Sequence, residues 1–479
     1  MNFAVIYKIV LRILTIITIA FVVSMGVAII YSESLTPFLF STLISVTLLL
    51  IFLYLNKGKE ISDIGRRETY LTVSLAWFLI SVVGALPFLF SGHFLSVTDA
   101  LFESVSGFTT TGSSILTDIE ALPKSILFWR SLTHWIGGIG IIVLVIIIMP
   151  SLKIGNYSLF SAESSLQDKL VPRIKSVVKR LLLIYVGLTT FEAVLLILGG
   201  MDLFDSVCHS FGTIATGGFS TKNDSIAGYS PYIQYVVTLF MILAGTNFGI
   251  HYFIVKRNFG KIKYNEELKI YLSIIFSVSI LITFILYFDT SIGLETAFRE
   301  SLFQVTSIVT CTGFATTDYL IWPTVAWVII FLLMFVGGST GSTAGGIKVA
   351  RHIVAFKNIK KIFFNLMHPR TVYTITLNRK RLTDNNNSSI LAFVLWYILL
   401  FIIGSVFLVL TGLDYETSIS AIATAMGGIG PGIGKVGPVS NFAHITSVAK
   451  LIIIFFMILG RLELYAVLIL FTPSFWKKV

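Results

Sequence analysis

The chain has 479 residues, of which 55% are hydrophobic and only 12% are charged, and this composition excludes an ordinary soluble domain. Apolar runs of about 20 residues recur, which is the length that spans the hydrocarbon core of a bilayer. The net charge of +11 comes from Lys and Arg clusters between these runs, which is typical of cytoplasmic loops and not of a nucleic-acid-binding surface. The sequence therefore predicts an all-α polytopic membrane protein that contacts the lipid bilayer and no nucleic acid. The clusters assigned to the cytoplasm span residues 57–67, 153–180, 256–269 and 351–381.

Two hydrophobic segments come first, within residues 1–56. We interpret the first as a retained transmembrane helix, because no small-residue cleavage site follows it. A pattern of helix, short apolar segment, Gly/Thr-rich turn and helix then occurs four times, and a period of about 100 residues indicates internal repeats. With the N-terminus in the cytoplasm, every basic loop is cytoplasmic and ten helices span the membrane. The predicted pore repeats cover residues 68–152, 176–256, 266–352 and 386–479, and the third has a broken last helix.

The short segments and turns of the four units align with one another. They read DALFESVSGFTTTGSS, DSVCHSFGTIATGGFS, ESLFQVTSIVTCTGFA and ETSISAIATAMGGIGPG. Each begins with an acid, which suits a helix N-terminus because the helix macrodipole stabilises negative charge there. About ten apolar and small residues follow, too few to span a bilayer, and they predict a re-entrant half-helix. The acids are Asp99, Asp205, Glu300 and Glu416, and the glycines that come 13 or, in the fourth segment, 14 residues later are Gly112, Gly218, Gly313 and Gly430.

Four such turns can surround a single axis. Non-helical backbone at membrane depth is tolerated where protein shields it or where it lines a watery cavity. Glycine permits left-handed dihedrals that point successive carbonyls the same way, and carbonyls that replace the hydration shell make a cation-selective filter. Four unrelated Gly-rich loops are the alternative. The predicted filter residues are Thr110, Thr111, Gly112, Thr216, Gly217, Gly218, Cys311, Thr312, Gly313, Gly428, Ile429 and Gly430.

The stretch FVGGSTGSTAGGIKVAR (335–351) interrupts the last helix of the third repeat. Glycines and hydroxyl residues lower helix propensity there, and the GK[ST] ending of a phosphate-binding loop is absent. We predict a flexible segment that obstructs the path beneath the filter, with a close-packed helix crossing as the alternative. The predicted gate residues are Gly337, Gly338, Gly341, Gly345, Gly346 and Lys348.

Arg461 falls inside the predicted last spanning helix. An ionisable residue in the membrane is costly to bury and is functional by default. We expect Arg461 in the pore below the filter, where its charge would form a barrier to cations. Pairing with Glu463 or Glu192 is the structural alternative, although residues two apart on a helix do not face each other.

Over nearly its whole length the chain resembles the Trk/Ktr/HKT superfamily of K⁺ transporters. Its two leading helices and its length resemble the TrkH branch more than the KtrB branch. The segments that carry the resemblance are FTTTGSS (108–114), TIATGGFST (213–221), TCTGFATTD (310–318), GIGPGIG (428–434), HWIGGIGIIV (134–143) and GRLELYAVL (460–468).

The resemblance implies potassium uptake across the bacterial cytoplasmic (inner) membrane, with K⁺ as the bound and transported ion and no organic cofactor. It also implies a homodimer and a cytosolic nucleotide-binding regulatory ring of the TrkA or KtrA type. In plant relatives a serine in place of the first-turn glycine is associated with Na⁺ transport, so Gly112 favours K⁺. A symporter coupled to H⁺ or Na⁺ and a Na⁺-permeable HKT-like transporter stay open as alternatives. We predict no enzyme, because the spans lack a clustered His/Glu/Asp constellation.

Overall fold

The computed structural model describes residues 3–57, 65–152, 170–371 and 373–477, and most of them are helical. The basic clusters at 57–67 and 153–180 therefore lie partly outside the described residues. One small antiparallel hairpin joins β1 (Thr376–Leu377) to β2 (Lys380–Arg381). The helices are α1 (Phe3–Ile30), α2 (Thr36–Asn56), α3 (Arg66–Gly84), α4 (Leu86–Phe90), α5 (Val97–Phe108), α6 (Lys124–Leu152), α7 (Leu170–Leu198), α8 (Leu203–Ile214), α9 (Pro231–Ala244), α10 (Phe248–Val255), α11 (Phe259–Lys263), α12 (Glu266–Asp289), α13 (Leu294–Val309), α14 (Thr324–Leu333), α15 (Val349–Met367), α16 (Asp384–Leu410), α17 (Tyr415–Gly427), α18 (Ser447–Arg461), α19 (Tyr465–Leu468) and α20 (Pro473–Trp476).

Long apolar helices make this a multi-pass membrane protein. Among the described residues, six helices are long and apolar enough to cross a membrane, and two sharply bent helix pairs raise the number to 8 if each is one span. Large apolar side chains cover their outer faces; Leu43 and Leu50 on α2, for example, are 55% and 61% exposed. Such a surface suits lipid and not water. The predicted all-α polytopic membrane architecture is confirmed, while the number of ten spans stays a prediction.

The two leading helices pack beside the first unit. Helix α1 lies against α2, α3 and α6, and its side chains Leu14, Ile17 and Phe21 are fully buried. The hydroxyls of Thr18 and Ser45 join α1 to α2 at 2.6 Å. Small and hydroxyl side chains allow close helix approach in lipid, where burial of apolar surface gives no driving force.

Four short helices, α5, α8, α13 and α17, occupy the buried centre. Asp99, Asp205 and Glu416 lie in the first turns of α5, α8 and α17, as predicted. The prediction for the third helix is wrong: α13 begins at Leu294, so Glu300 lies in its middle and Glu295 is the first-turn acid. The residues before Glu300 include Leu, Glu, Ala and Arg, which are strong helix formers and extend the helix towards its N-terminus.

Two of the helices that follow the turns are broken. Helices α9 and α10 meet at a bend of 99°, which the sequence analysis did not predict, and α18 and α19 meet at 110°. The prediction that Arg461 lies inside a spanning helix is therefore wrong, because Arg461 is the last residue of α18. Glu463 and Leu464 follow with φ of +57° and +56°. A right-handed helix cannot continue through these dihedrals.

Candidate functional site

The four turns share one backbone conformation over the predicted filter triplets, residues 110–112, 216–218, 311–313 and 428–430. In each triplet the first and third residues have positive φ. This pattern puts Gly430 in register with the glycines that end the other three triplets. The φ values are 52° and 83° for Thr110 and Gly112, 54° and 78° for Thr216 and Gly218, 56° and 81° for Cys311 and Gly313, and 67° and 101° for Gly428 and Gly430.

Each short helix ends in the hydrogen-bond pattern of a Schellman motif. The amide of the middle triplet residue donates five residues back, as from Thr111 to the Ser106 carbonyl at 2.9 Å. The left-handed residue of this motif is usually glycine, because a Cβ is strained there by roughly 1–2 kcal/mol. Three of the four turns nevertheless place Thr or Cys at that position. Backbone strain of this kind is held in place by its surroundings and is concentrated at functional sites. The corresponding bonds run from Gly217 to Gly212 at 2.8 Å, from Thr312 to Ser307 at 2.8 Å and from Ile429 to Thr424 at 3.0 Å.

The triplets lie side by side in a closed ring, which we call the triplet ring. At the last glycine of each triplet, an added Cβ would meet the middle carbonyl of the next triplet. In the first three cases it would overlap that oxygen, and at Gly430 it would lie 2.9 Å from it. Only glycine allows the chains to approach so closely. The neighbours are Gly112 with Gly217, Gly218 with Thr312, Gly313 with Ile429, and Gly430 with Thr111.

The carbonyls of the triplet ring are largely free of protein donors. Among the described residues, the only triplet carbonyl that accepts a hydrogen bond is that of Gly430, from Ser113 Oγ at 3.1 Å. The negative ends of four helix dipoles also meet at the ring. Carbonyl oxygens without protein donors are available to water or to a desolvated cation. Within the described residues no group of three or more His, Cys, Asp or Glu side chains could hold a metal ion.

Two threonine pairs brace the first and third turns in the same way. The hydroxyls of Thr109 and Thr111 lie 2.8 Å apart, as do those of Thr310 and Thr312. The hydroxyl of Thr216 instead donates to the carbonyl of Ala215 at 2.7 Å. These hydroxyls keep lone pairs that can accept from, or coordinate, a further group.

The glycine-rich segment, residues 335–348, leaves α14 and returns to α15 as a closed loop. Gly337 N donates to Ile347 O at 2.9 Å, and Val349 N donates to Gly338 O at 3.2 Å. The loop reaches the break between α9 and α10, where Ser339 N donates to Gly245 O at 2.9 Å. The break between α9 and α10, which the sequence did not predict, therefore forms the surface against which this segment packs. Gly341 completes the contact, since its carbonyl accepts from Phe248 N at 3.1 Å.

The middle of the glycine-rich segment lies against the ends of the short helices. Thr343 donates its hydroxyl to Ile214 O, the last residue of α8, at 3.1 Å. A Cβ on Gly345 would overlap the carbonyl of Gly427 at the end of α17, and one on Gly346 would lie 3.7 Å from Cys311 Sγ. The segment thus lies next to three of the four turns.

Arg461 and Lys348 are both buried in this region. Arg461 donates to Thr343 O and to Gly137 O on α6, each at 2.9 Å, and so links the glycine-rich segment to the first unit. Lys348 folds back on Ala344 O. Arg461 is thus held by backbone carbonyls in the region of the turns.

The two carboxylates considered as partners for Arg461 lie elsewhere. Glu463 pairs with Arg351, whose guanidinium also stacks 3.7 Å above the Phe393 ring. Glu192 is fully buried on α7, and neither of its carboxylate oxygens has a hydrogen-bond partner. Neither pairing with Arg461 occurs in the described residues.

Comparison with known proteins identifies the family. The sequence profile described as "TrkH: Cation transport protein" matches residues 37–294 and 289–478, which is nearly the whole chain. The chain belongs to the TrkH family of cation transport proteins. This membership agrees with the expectation of a transport protein and not an enzyme.

Individual members of the TrkH family align over most of their length. The chain is 39% identical over 428 residues to the Trk system potassium uptake protein TrkH of Escherichia coli, with 88% of each chain covered. It is 35% identical over 418 residues to the Trk system potassium uptake protein TrkG of the same organism, with 86% of each covered. The crystal structure of the potassium transporter TrkH from Vibrio parahaemolyticus superposes with a TM-score of 0.90, at 33% identity and 100% coverage of both chains.

Outside the spanning helices, exposed ion pairs lie in the loops of this TrkH-family chain. A hydrogen bond with the Thr417 side chain, with help from nearby Lys435, lowers the pKa of Asp414 to about 2. Asp414 also caps α17, because its carboxylate accepts from Thr417 N at 3.1 Å. A hydrogen bond to Glu120 raises the pKa of Lys222. These groups stay charged over the physiological pH range.

The sequence analysis missed a fully buried ion pair beside the first two turns. Arg130 Nε lies 2.8 Å from Glu103 Oε1, and both side chains are at most 1% exposed. Because ionisable residues are rare inside a membrane, the presence of Glu103 and Arg130 in predicted membrane segments could have indicated an ion pair. Glu103 lies among the apolar residues of the first short segment, and Arg130 follows LFW in the next helix.

Proposed function

We propose that the chain takes up K⁺ across the bacterial cytoplasmic membrane through the triplet ring. The supporting observation is the closed arrangement of four equivalent turns whose carbonyls, that of Gly430 excepted, accept from no protein donor among the described residues. A carbonyl cage can replace the hydration shell of a monovalent cation, and it contains no carboxylate that would favour a divalent one. The relatives named as potassium uptake proteins support K⁺ as the ion.

The glycine-rich segment is proposed as the gate. The proposal is supported by the contacts of this segment with the ends of α8 and α17 and with the third triplet. Residues Gly337 to Lys348 form no regular helix, and they are held by separate hydrogen bonds to several elements, among them Ser339 N to Gly245 O and Arg461 to Thr343 O. Arg461 is proposed to hold the gate closed through Thr343 and to add positive charge beside the path.

The N-terminus is proposed to be cytoplasmic, and the basic loops to be the surface for regulation. The predicted homodimer and the cytosolic nucleotide-binding ring of the TrkA or KtrA type stay predictions. Support comes from relatives whose names place them in a Trk system. A nucleotide-dependent change in flux after addition of such a ring from the same genome would support the partner, and no binding to it would contradict this part.

Coupled transport is the second candidate. Glu192 favours it, because a buried carboxyl without a hydrogen-bond partner is costly when charged and can accept a proton. A proton-coupled symporter would move H⁺ with K⁺, whereas a gated channel would not.

Ion flux in liposomes of the purified protein tests both candidates. K⁺ and Na⁺ uptake are measured separately under the same imposed voltage, with a pH-sensitive dye inside the vesicles. We expect K⁺ to exceed Na⁺ by about tenfold or more, since about 1.4 kcal/mol of relative ion binding gives that ratio. Equal fluxes would contradict a K⁺-selective ring, and internal acidification that follows K⁺ uptake and is lost in Glu192→Gln would establish the symporter.

A further inference from the structure

The chain segments that leave the four triplets form a second set of contacts, which we call the outer belt. Its members are residues 113–115, 219–226, 314–319 and 431–442. Backbone or hydroxyl hydrogen bonds join three of the four neighbouring pairs. Ile226 N donates to Ala315 O at 3.1 Å, Tyr319 Oη donates to Gly432 O at 2.5 Å, and Phe442 N donates to Ser114 O at 2.9 Å.

The junction between the first and second segments is built differently. Next to the triplets, the side chain of Arg130 bridges the first and second segments. Nη1 donates to Ser220 O at 3.0 Å on the second segment, and Nη2 donates to Ser114 Oγ at 3.3 Å on the first. The guanidinium also stacks 3.9 Å above the Phe219 ring. Farther from the triplets, the loop after the first segment contacts the second segment again, through exposed hydrogen bonds between residues 118–120 and the pair Lys222 and Asn223.

Glu103 fixes the position of Arg130 and of the first segment together. Its Oε1 accepts from Arg130 Nε at 2.8 Å and from Ser114 Oγ at 2.9 Å, while Oε2 accepts from Ile115 N at 3.1 Å. Taking a guanidinium and a carboxylate out of water is costly, and the cost is offset only where they satisfy each other and the surrounding polar groups. The planar fork of Arg bonds in several fixed directions, which the point charge of Lys cannot reproduce.

We propose that Arg130 and Glu103 are positioning residues that set the spacing of the first and second triplets, and through it the selectivity between K⁺ and Na⁺. This inference rests on the proposed function of the triplet ring. Ser114 follows Gly112 by two residues, and Ser220 follows Gly218 by two residues. A shift of either segment therefore moves the adjacent carbonyls directly. Neither charged group forms a hydrogen bond to a triplet residue, so the pair acts through the position of the segments beside the triplets.

The test compares Arg130→Lys and Ser114→Ala with two matched controls. Tyr319→Phe removes a neutral belt contact at another junction, and Leu408→Ala destabilises the core of α16 away from the belt. For each variant, folding is checked by size-exclusion chromatography and thermal unfolding, and the K⁺/Na⁺ permeability ratio is measured in liposomes. The ratio, unlike stability, does not change with a merely structural loss.

We expect Arg130→Lys to lower the K⁺/Na⁺ ratio about tenfold, because hydrogen bonds from a charged donor are worth roughly that factor or more. Ser114→Ala should lower it about two- to threefold, Tyr319→Phe should lower it less than Arg130→Lys does, and Leu408→Ala should lower the melting temperature alone. If Arg130→Lys does not fold, Ser114→Ala decides the outcome. A folded Arg130→Lys variant with the same K⁺/Na⁺ ratio as the parent would overturn the inference. If Arg130→Lys does not fold, an unchanged ratio in Ser114→Ala would overturn it. A parent protein that itself fails to discriminate would instead overturn the proposed function.

Discussion

The triplet ring draws one turn from each of four units, whereas the glycine-rich segment comes from the third unit alone. In the ring, each turn repeats the same dihedrals and contacts its neighbour through backbone atoms. The segment is held partly by side chains of other elements, among them Arg461 on α18 and Asn247 at the α9–α10 break. Backbone contacts repeated around a ring fix a geometry tightly, while single side-chain contacts can be released one at a time.

This difference separates two properties of the proposed pathway. Changes in the ring should alter which ion passes, because carbonyl positions set the coordination. Changes at the segment should alter how many ions pass, since K⁺ and Na⁺ carry the same charge and meet the same obstruction.

The largest effect is expected for Gly112→Ser, which adds a Cβ against the carbonyl of Gly217. The K⁺/Na⁺ permeability ratio should fall about tenfold or more, equivalent to about 1.4 kcal/mol in relative ion binding. Gly412→Ser is the matched control, because Gly412 has φ of +91° and nothing within 4 Å of an added Cβ. Both variants carry backbone strain, but only the first should lose selectivity in liposome flux assays. Equal ratios in the two folded variants would remove the first turn from the filter.

Arg461→Ala should raise K⁺ flux about fivefold and leave the K⁺/Na⁺ ratio unchanged. The variant loses two hydrogen bonds from a charged donor, each worth roughly 1.5–3 kcal/mol, and frees Thr343 of the glycine-rich segment. Flux per folded protein is the measurement. Arg461→Lys separates the causes, because it keeps the charge and loses the paired geometry. A stable alanine variant with parental flux would reject both the barrier and the anchor.

A smaller effect, about two- to threefold more K⁺ flux, is expected for Thr343→Val. The substitution keeps the side-chain shape and removes the hydroxyl that is shared between Ile214 O at 3.1 Å and Ala244 O at 3.3 Å, a contribution of about 1 kcal/mol. Thr283→Val on α12 is the control, since Thr283 is also buried and bonds only Ser279 of its own helix. Higher K⁺ flux in both variants would indicate a general loss of packing in the protein and not an effect on the gate.

The smallest effect concerns stability alone. Asp414→Ala removes the N-cap of α17 and should cost about 1 kcal/mol at neutral pH, with selectivity unchanged. The pKa of Asp414 is lowered to about 2, so its contribution is present above the ordinary pKa of about 4 and is lost as the pH falls towards 2. Thermal unfolding at pH 7 and pH 3 should therefore show a smaller difference between parent and variant at pH 3. Asp414→Asn, which can still cap, should stay close to the parent, and a difference that grows on acidification would contradict this assignment.

Much of this architecture could be predicted from local sequence. Apolar runs specify spanning helices, and a spacing of 13 residues from acid to glycine aligns Gly112 with Gly218. Gly430 comes one residue later than this spacing, and its choice rests on the Gly-Pro-Gly pattern of the family that the chain resembles; its positive φ agrees with that choice. The predicted start of α13 was wrong because glutamate suits the interior of a helix as well as its first turn, and Glu300 lies in the interior. The break after α9 and the end of α18 at Arg461 depend on which segments pack against them. No local pattern contains that information.

The partners of buried charges were also beyond local reasoning. Arg461 bonds carbonyls 118 and 324 residues away, and the sequence offers no periodicity that relates them. The Arg130–Glu103 pair joins residues only 27 apart, yet its importance comes from Ser220 in another unit. Charges in the membrane can be located in a sequence, but what they bind depends on tertiary packing.

The central claim is that carbonyls of the triplet ring coordinate the transported cation. Crystals grown in Tl⁺, a heavy K⁺ analogue, would test it through anomalous difference maps, with Na⁺-grown crystals as the reference. The account predicts Tl⁺ peaks on the axis between the triplets around Gly112, Gly218, Gly313 and Gly430, and weaker occupancy of that site when Na⁺ competes. Tl⁺ bound only elsewhere, or displaced equally well by Na⁺, would contradict it.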